Sequence, residues 1–302
     1  MSIPFRRRST PKNWPSLMSD RSFDEILKNA KDSLLKSGID NAGQEALWLL
    51  SYVTGQTVSE IKLGKNKCLS ADEYEIFQNY LSDRISGVPL SRVLGVQEFW
   101  GLEFELNRTT LDPRQDTELI PELVTQKFSK EFDGTLLDLG TGSGCIALSI
   151  LSEFPKARGI GIDISYEAAQ QARKNAARNN LDKRFTVLNG HWCDALSGKY
   201  PLIVTNPPYI RGKDINSLDS AVRDYDPIPA LDGGADGLDC VRQILYDLKN
   251  HLSPSGLAFM EIGYSQSDDV TRLIEKSGLR ANDVHLDPAG IPRVVEISYG
   301  DK

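Results

Sequence analysis

The sequence predicts an α/β protein in which a small helical domain precedes a seven-stranded, mostly parallel sheet with a C-terminal antiparallel hairpin. Between residues 22 and 87, apolar side chains recur every three or four positions, as on one face of a helix. From Leu119 onward, short runs that are apolar throughout alternate with helical stretches, which is typical of a parallel sheet covered on both faces. The last two runs are joined only by residues 287–292, enough for a hairpin but too few for a parallel crossover.

Size and charge limit the possible partners. At 302 residues the chain favours two domains. Lys and Arg number 35 against 42 Asp and Glu, and the net charge of −7 counts against a protein that grips duplex nucleic acid through its phosphates. Nucleic acid is therefore not expected as a partner. A membrane is not expected either, because no apolar stretch approaches the roughly 18 residues of a membrane span. The default expectation for the oligomeric state is a monomer.

The cysteines and histidines predict no metal site. There is no Cys-x-x-Cys pair, and a structural zinc site needs clustered ligands. Scattered cysteines instead fit unpaired thiols in a reducing compartment. The residues concerned are Cys68, Cys145, Cys193 and Cys240, with His191, His251 and His285.

Residues 1–20 are predicted to form a disordered basic extension. Three consecutive arginines, Arg6 to Arg8, are followed by no apolar core of the kind that a secretory signal requires. A transit peptide, also Arg-rich and poor in acids, is the alternative. The expected setting is therefore the bacterial cytoplasm, with a mitochondrial location as the alternative.

Residues 21–88 are predicted to form the helical domain, with a structural or partner-docking role. Its three helices each begin at a polar pair suited to capping and end at a glycine. These are Ser22 and Glu25 to Gly38, Asn41 and Gln44 to Gly55, and Ser70 and Glu73 to Gly87. Residues 89–118 are predicted to contain a hairpin, formed by Val93-Leu94 and residues 98–106 around Gly101, and then a polar connector.

Residues 119–302 are predicted to form the sheet domain. The predicted strands are residues 135–139, 159–162, 185–188, 202–205, 256–262, 281–286 and 293–299. The predicted helices between them are residues 145–154, 166–179, 237–252 and 267–277.

A glycine-rich loop follows the first of these strands: Asp138-Leu139-Gly140-Thr141-Gly142-Ser143-Gly144. Ligands bind beyond the carboxyl ends of strands in an open parallel sheet, where a helix N-terminus offers free N–H groups. A dinucleotide fingerprint would need Gly or Ala at position 145, which is Cys145. The spacing resembles instead the nucleoside-binding loop of methyltransferases that use S-adenosylmethionine. The alternative is a tight turn that binds no ligand.

Asp163 ends the second strand. A carboxylate at this place can accept both ribose hydroxyls of a nucleoside. The alternative is that Asp163 caps the helix that begins near Tyr166.

The most specific motif is Asn206-Pro207-Pro208-Tyr209, after the fourth strand. Two prolines fix an extended backbone, so that the Asn206 side-chain oxygen and the Pro207 carbonyl can accept both hydrogens of one planar NH2 group. Tyr209 supplies an aromatic face for a flat amide or base.

With these residues in view, the sequence resembles the release factor glutamine methyltransferase family over residues 22–299. The tetrapeptide is shared by methyltransferases that act on planar nitrogens, in adenine or in the glutamine of release factors. Further matching motifs are Gly95-Val96-Gln97-Glu98-Phe99-Trp100-Gly101, Pro113-Arg114-Gln115-Asp116-Thr117-Glu118, Gly190-His191-Trp192 and Gly290-Ile291-Pro292-Arg293-Val294-Val295. The chain departs from the family at Gln115 and Asp116, where Pro and Glu are usual, and at Arg92, often an aromatic residue.

The resemblance implies a seven-stranded class I (Rossmann-like) methyltransferase sheet and S-adenosyl-L-methionine as cofactor. Its cofactor-binding residues would be Gly140, Thr141, Gly142, Ser143, Gly144, Asp163, Trp192 and Asn206. Asn206, Pro207, Pro208 and Tyr209 would hold the glutamine amide, and Asn206, Pro207 and Tyr209 would act in catalysis. Trp192 would pack beside the adenine, with a plain core aromatic as the alternative.

The expected reaction is therefore methylation of the glutamine in the Gly-Gly-Gln motif of class-one peptide chain release factors. Methylation of adenine in DNA or RNA is the alternative, and a cofactor-binding scaffold without activity is a third possibility. No nucleophile–base pair accompanies the tetrapeptide, which counts against a hydrolase. Glu261 and Asp226 are expected to be solvated or structural charges.

Overall fold

The computed structural model describes residues 21–64, 67–194 and 196–300. Its chain forms two compact units, one ending at Ser86 and the other beginning at Gly87. The basic segment 1–20 lies outside the described residues. Within the described ranges, none of the helices is long and apolar enough to cross a bilayer.

The first unit is built from helices around a buried apolar centre that includes Phe23, Leu34, Leu50 and Phe77. The helices are α1 (Phe23–Lys36), α2 (Ala42–Thr54), α3 (Val58–Leu63) and α4 (Ala71–Ile85). Ser70 and Glu73 form the predicted capping box at α4. At α1, Ser22 Oγ accepts from Glu25 N at 3.4 Å, which is one half of the predicted box. The sequence analysis missed α3, a helix of only 6 residues that begins with a capping box of Thr57 and Glu60.

The second unit begins with a short helix and a hairpin. The helix is α5 (Leu90–Leu94), and the antiparallel strands are β1 (Val96–Phe99) and β2 (Leu102–Glu105). The prediction of a strand at Val93-Leu94 is wrong, because Pro89 precedes a helical turn that continues to a left-handed Gly95. Trp100 occupies the hairpin turn with a φ of 53°, and Glu118 Oε1 accepts a hydrogen bond from its backbone N at 2.8 Å.

A seven-stranded sheet forms the centre of this unit, and the predicted fold class is confirmed. Its strands are β3 (Thr135–Leu139), β4 (Arg158–Asp163), β5 (Phe185–Asn189), β6 (Tyr200–Thr205), β7 (Leu252–Glu261), β8 (Leu279–Leu286) and β9 (Pro292–Tyr299). They lie in the order β5-β4-β3-β6-β7-β9-β8. The strands β3 to β7 pair in parallel, whereas β9 is antiparallel to both β7 and β8.

Helices cover both faces of the sheet. They are α6 (Leu119–Lys127), α7 (Cys145–Glu153), α8 (Tyr166–Arg178), α10 (Asp239–His251) and α11 (Ser267–Lys276), whereas the short helix α9 (Ser220–Arg223) has no buried residue. In β3, Leu136 packs into the cluster formed with α6, α7 and α8. Leu137 and Leu139 point to the other face and pack with α10 and α11. Burial on both faces explains why central strands such as β3 and β6 are mainly apolar.

The strand order places the site. The chain moves outward from β3 to β4 and β5, then returns to the other side of β3 with β6. Ligands bind at such a reversal, beyond the carboxyl ends of the strands. The three predicted motifs follow β3, β4 and β6, which are neighbours.

Candidate active site

A cleft of about 420 Å³ lies at the carboxyl ends of β3, β4 and β6, and residues from all three predicted motifs line it. This volume is in the range of small-molecule sites. The predicted residues in its lining are Gly140, Thr141, Gly142, Ser143, Asp163, Trp192, Asn206 and Pro208. A second cavity of about 210 Å³ adjoins it and is lined by Asn206 and Tyr209 among others. Of the predicted residues, Gly144 and Pro207 line neither cavity.

The glycine loop is tied to β4 through its backbone. Gly140 N and Thr141 N both donate to Ile162 O at 2.9 Å, and Gly142 N donates to Asp163 Oδ2 at 2.8 Å. Gly142 has a φ of 55°, and a side chain there would meet nothing within 4 Å. A Cβ at Gly144 would instead approach Leu148 at 3.2 Å. Gly142 therefore leaves space for a ligand, whereas Gly144 allows the loop to pack on its own helices.

Asp163 keeps acceptor capacity for a ligand. Its Oδ2 accepts from Gly142 N and its Oδ1 from Ser165 N, each at 2.8 Å. A carboxylate oxygen has about two lone pairs, so one remains on each oxygen. Burial raises the pKa of Asp163, and these two N–H groups act against the increase. The alternative that Asp163 caps α8 is wrong, because Ser165 is the N-cap and its hydroxyl accepts from Ala168 N.

Trp192 forms one wall of the cleft. Its indole Nε1 donates to Gln243 Oε1 of α10 at 2.9 Å, and its backbone has a φ of 41°. A Cβ at Gly140 would lie 3.4 Å from the ring, which shows how closely the ring approaches the loop. The ring also packs against the buried cluster beneath it. The side chain is thus both an aromatic wall of the cleft and part of the packing.

Asp138 and Cys145 flank the same loop. Asp138 Oδ2 accepts from Thr141 Oγ1 at 2.7 Å, and burial raises the pKa of Asp138 to about 7. Burial also raises the pKa of the Cys145 thiol to about 12, so the thiol is protonated at neutral pH. Among the described residues, no group of three His, Cys, Asp or Glu side chains is placed to hold a metal ion.

The tetrapeptide lies between the two cavities. Thr205, the last residue of β6, donates through Oγ1 to Leu139 O at 2.8 Å and so ties β6 to β3 at this end. Asn206 lines both cavities, and its Nδ2 donates to Thr117 Oγ1 at 3.3 Å. Pro208 lines the larger cavity and Tyr209 the smaller one. Asn206 can therefore contact ligands in both.

Glu261 is a site residue that the sequence analysis did not identify. It ends β7, is 2% exposed, and accepts from Thr117 Oγ1 at 2.6 Å and from the Tyr209 hydroxyl at 3.3 Å. Burial raises the pKa of Glu261 to about 7, while Thr117, Arg293 and Tyr209 lower it. Of the two expected roles, a solvated or a structural charge, the solvated one is wrong, because Glu261 is buried. The sequence does contain a signal for this residue, because a carboxylate stands near the end of a mainly apolar predicted strand.

Asp226 has a structural role and is buried. Its carboxylate forms ion pairs with Arg92 at 2.7 Å and with Arg114 at 2.5 Å, and it accepts from Asp112 N at 3.2 Å. Arg92 also donates to backbone carbonyls of the connector, Asn107 O and Thr110 O. Arg92, at a position expected to be often aromatic in the family, thus joins the connector to the segment around Asp226.

The other two departures from the family lie in a single 3-10 turn, Gln115–Glu118. Asp116 forms an ion pair with Arg293 at 3.0 Å. The next residue, Thr117, is 2% exposed and carries the hydroxyl between Asn206 and Glu261.

Comparison with known proteins places the chain in a family. A family profile described as "Methyltransferase small domain" matches residues 117–222, and one described as "PrmC N-terminal domain" matches residues 25–95. A protein of Agrobacterium fabrum named release factor glutamine methyltransferase is 37% identical over 280 residues, which cover 91% of this chain and 97% of that protein. The chain belongs to the release factor glutamine methyltransferase family.

Other relatives agree with this membership. The release factor glutamine methyltransferase of Caulobacter vibrioides is 40% identical over 250 residues, which cover 82% of this chain and 86% of that protein. The crystal structure of a methyltransferase from Pyrococcus furiosus shares the fold, with a TM-score of 0.50 and 17% identity over 77% of this chain and all of that one (100%). The resemblance to the release factor glutamine methyltransferase family is confirmed, and so is the methyltransferase fold.

Proposed function

We propose that the protein transfers the methyl group of S-adenosyl-L-methionine to the glutamine side-chain amide of the Gly-Gly-Gln motif in class-one peptide chain release factors. One observation carries this proposal: Asn206 lies in the wall shared by two cavities. The larger cavity suits the cofactor and the smaller one the glutamine. Membership of the family supports the same reaction.

The residues of the larger cavity fit the cofactor. Gly142 leaves open space beside the loop, and Asp163 retains acceptors for the two ribose hydroxyls. Trp192 supplies an apolar wall for the adenine. When bound there, S-adenosyl-L-methionine would supply an electrophilic methyl group: the bond between the methyl carbon and the sulfonium sulfur breaks, S-adenosyl-L-homocysteine leaves as a neutral thioether, and the methylated amide releases one N–H proton.

The smaller cavity fits a glutamine side chain. Its aliphatic lining suits the methylene groups of the substrate, and comprises Leu111, Ile210, Leu218, Val222, Ala230 and Leu231. An amide nitrogen is a poor nucleophile because its lone pair is delocalised into the carbonyl group. Asn206 lines this cavity, and acceptance of one of the substrate amide's N–H groups by Asn206 Oδ1 would raise the electron density on nitrogen and fix its direction. Such positioning can lower a barrier by about 7–11 kcal/mol.

The alternative of adenine methylation is not favoured. The relatives at 37% and 40% identity are named for release factors. The net charge of −7 also counts against tight binding of nucleic acid.

A methyl-transfer assay with labelled S-adenosyl-L-methionine tests the proposal. Purified release factor, duplex DNA and ribosomal RNA are offered separately to the wild-type protein and to Asn206→Ala. We expect label on the glutamine of a tryptic release factor peptide with the wild-type protein, and a large loss of label with the variant. Label in nucleic acid alone, or full activity of Asn206→Ala, would refute the proposed reaction.

A further inference from the structure

We infer that Thr117 and Glu261 fix the orientation of the Asn206 side-chain amide, so that its oxygen and not its NH2 group faces the methyl-accepting nitrogen. This inference rests on the proposed function. Thr117 lines the larger cavity and Glu261 the smaller one, but the role inferred for both is exerted through Asn206, and in that role they are positioning residues.

The direction of the hydrogen bonds follows from the chemistry of the three groups. An ionised carboxylate only accepts, so the single hydroxyl proton of Thr117 points to Glu261 Oε2 at 2.6 Å. The lone pairs of Thr117 Oγ1 then remain for a donor. Asn206 supplies that donor through Nδ2 at 3.3 Å. Because Nδ2 is engaged with Thr117, Oδ1 is the amide atom left for a ligand.

The three residues come from separate parts of the fold, which holds them firmly. Asn206 follows β6, Glu261 ends β7, and these strands pair with Thr205 opposite Met260. Thr117 belongs to the 3-10 turn that precedes α6. The other oxygen of Glu261 accepts from the Tyr209 hydroxyl at 3.3 Å, so both oxygens of the carboxylate have a donor.

The reversed amide would oppose the reaction. If Asn206 turned its NH2 group toward the substrate, two donors would face each other and the glutamine nitrogen would lose one acceptor. A lost hydrogen bond with a polar group left unsatisfied is worth about 1–3 kcal/mol, or roughly a 5- to 150-fold change in rate. Removal of the Thr117 hydroxyl would free the amide to turn.

A matched pair of variants tests this role: Thr117→Val lacks the hydroxyl but keeps the shape, and Thr117→Ser keeps the hydroxyl. We expect kcat for release factor methylation to fall about 10- to 100-fold in Thr117→Val and to remain near the wild-type value in Thr117→Ser. The Kd for S-adenosyl-L-methionine, measured by calorimetry, should change by less than about threefold in either variant, because the lost contact orients the amide.

A second pair of variants tests Glu261, the other positioning residue hydrogen-bonded to Thr117. Glu261→Gln keeps an acceptor for Thr117, whereas Glu261→Met has about the same volume and no such acceptor. We expect kcat to fall in Glu261→Met by about as much as in Thr117→Val. The double variant Thr117→Val/Glu261→Met should be no slower than either single variant, because both act through one amide.

The outcomes separate the two proposals. Wild-type protein that does not methylate release factor refutes the proposed function. Active wild-type protein with equal kcat in Thr117→Val and Thr117→Ser refutes the positioning role alone, and so do independent, multiplicative losses in the double variant. If Thr117→Val does not fold, the Glu261 pair decides, and equal kcat in Glu261→Gln and Glu261→Met then refutes the role.

Discussion

At the scale of single residues, the buried carboxyl group of Glu261 is expected to make the site sensitive to pH. Burial raises its pKa to about 7, Arg293 lowers it and Asp116 raises it. The ionised form has no donor of its own and accepts the protons of both Thr117 and Tyr209. A protonated Glu261 could donate to Thr117, which would reverse the hydrogen-bond chain toward Asn206.

We therefore expect kcat to rise with pH through about 7 and then to level off. Below that pH, Glu261 is protonated and the active orientation of Asn206 is lost. The measurement is the pH profile of kcat for the wild-type protein and Glu261→Gln, in which no proton is taken up at this position. Asp138, whose pKa is also raised to about 7, is present in both proteins. An unchanged acid limb in Glu261→Gln would assign the titration to Asp138 or another group.

Glycine at position 142 has two possible reasons: its left-handed backbone and the open space beside it for a ligand. A comparison with Gly55, which has a similar backbone but no expected ligand, distinguishes them. Gly142→Ala adds a side chain at a φ of 55°, and Gly55→Ala does so at 66° in the helical unit. Both should destabilise the fold by about 1–2 kcal/mol because of the same backbone strain. Calorimetry should show weaker S-adenosyl-L-methionine binding, by tenfold or more, in Gly142→Ala alone. Equal affinities in the two variants would contradict a ligand beside Gly142.

The sequence was sufficient to predict the part of this site formed by residues at the ends of β3, β4 and β6. The glycine loop, Asp163 and the tetrapeptide each follow an apolar strand, so local pattern was sufficient to find them. Thr117 and Glu261 are 144 positions apart and meet only because the connector and β7 both end beside β6. No local pattern contains that contact. The resemblance to the family included Thr117 in a motif but gave it no role.

At the scale of elements, Asp226 joins the connector to the segment that lines the cleft. Its side chain is 1% exposed and pairs with Arg92 and Arg114, and the next residue, Pro227, lines the cleft, as does Pro229 two residues later. Removal of one partner of a buried ion pair leaves the other charge uncompensated. Since Arg114 is 43% exposed, water can screen part of that charge.

Asp226→Ala should accordingly lower the free energy of unfolding by about 3 kcal/mol, at the low end for a buried pair. Urea denaturation followed by circular dichroism measures the change. Asp224→Ala is the matched control, because that carboxylate is exposed and pairs with its neighbour Arg223 on the surface. An unfolding midpoint that shifts equally in both variants would show that Asp226 does not hold these segments together.

The accuracy of the element predictions depended on length and on competing local signals. The central strands β3 and β6 were predicted because they are mainly apolar and are buried on both faces, whereas the edge strand β8 is largely exposed. Val93 and Leu94 favour a strand by residue type, yet the helical turn between Pro89 and Gly95 includes them. The helix α3 contains too few residues to show a periodic pattern.

At the scale of the whole molecule, the residues of the candidate site are confined to the sheet unit. All residues that line the two cavities belong to the unit that begins at Gly87. We propose that the helical unit contributes to docking of the release factor. On α2, Trp48 and Tyr52 lie one turn apart and are 45% and 47% exposed.

Trp48→Ala/Tyr52→Ala should raise the KM for release factor about tenfold or more, because aromatic anchors dominate protein interfaces. kcat and the Kd for S-adenosyl-L-methionine should not change. Steady-state kinetics with release factor as the varied substrate measures this, and Tyr246→Ala, an 81% exposed aromatic on α10, is the control. An unchanged KM in the double variant would place docking on another surface.

The contrast between Gly142 and Gly144 has a consequence for how such loops change over evolution. A side chain at position 144 would crowd Leu148 whether or not a ligand is bound. At position 142 there is no such crowding, and without a ligand only the left-handed backbone disfavours other residues. A descendant that had lost its cofactor could therefore accept Asn or Asp at position 142, since these residues tolerate that backbone. It would still keep glycine at position 144. Replacement of Gly142 alone would then mark the relatives that have lost the activity while retaining the fold.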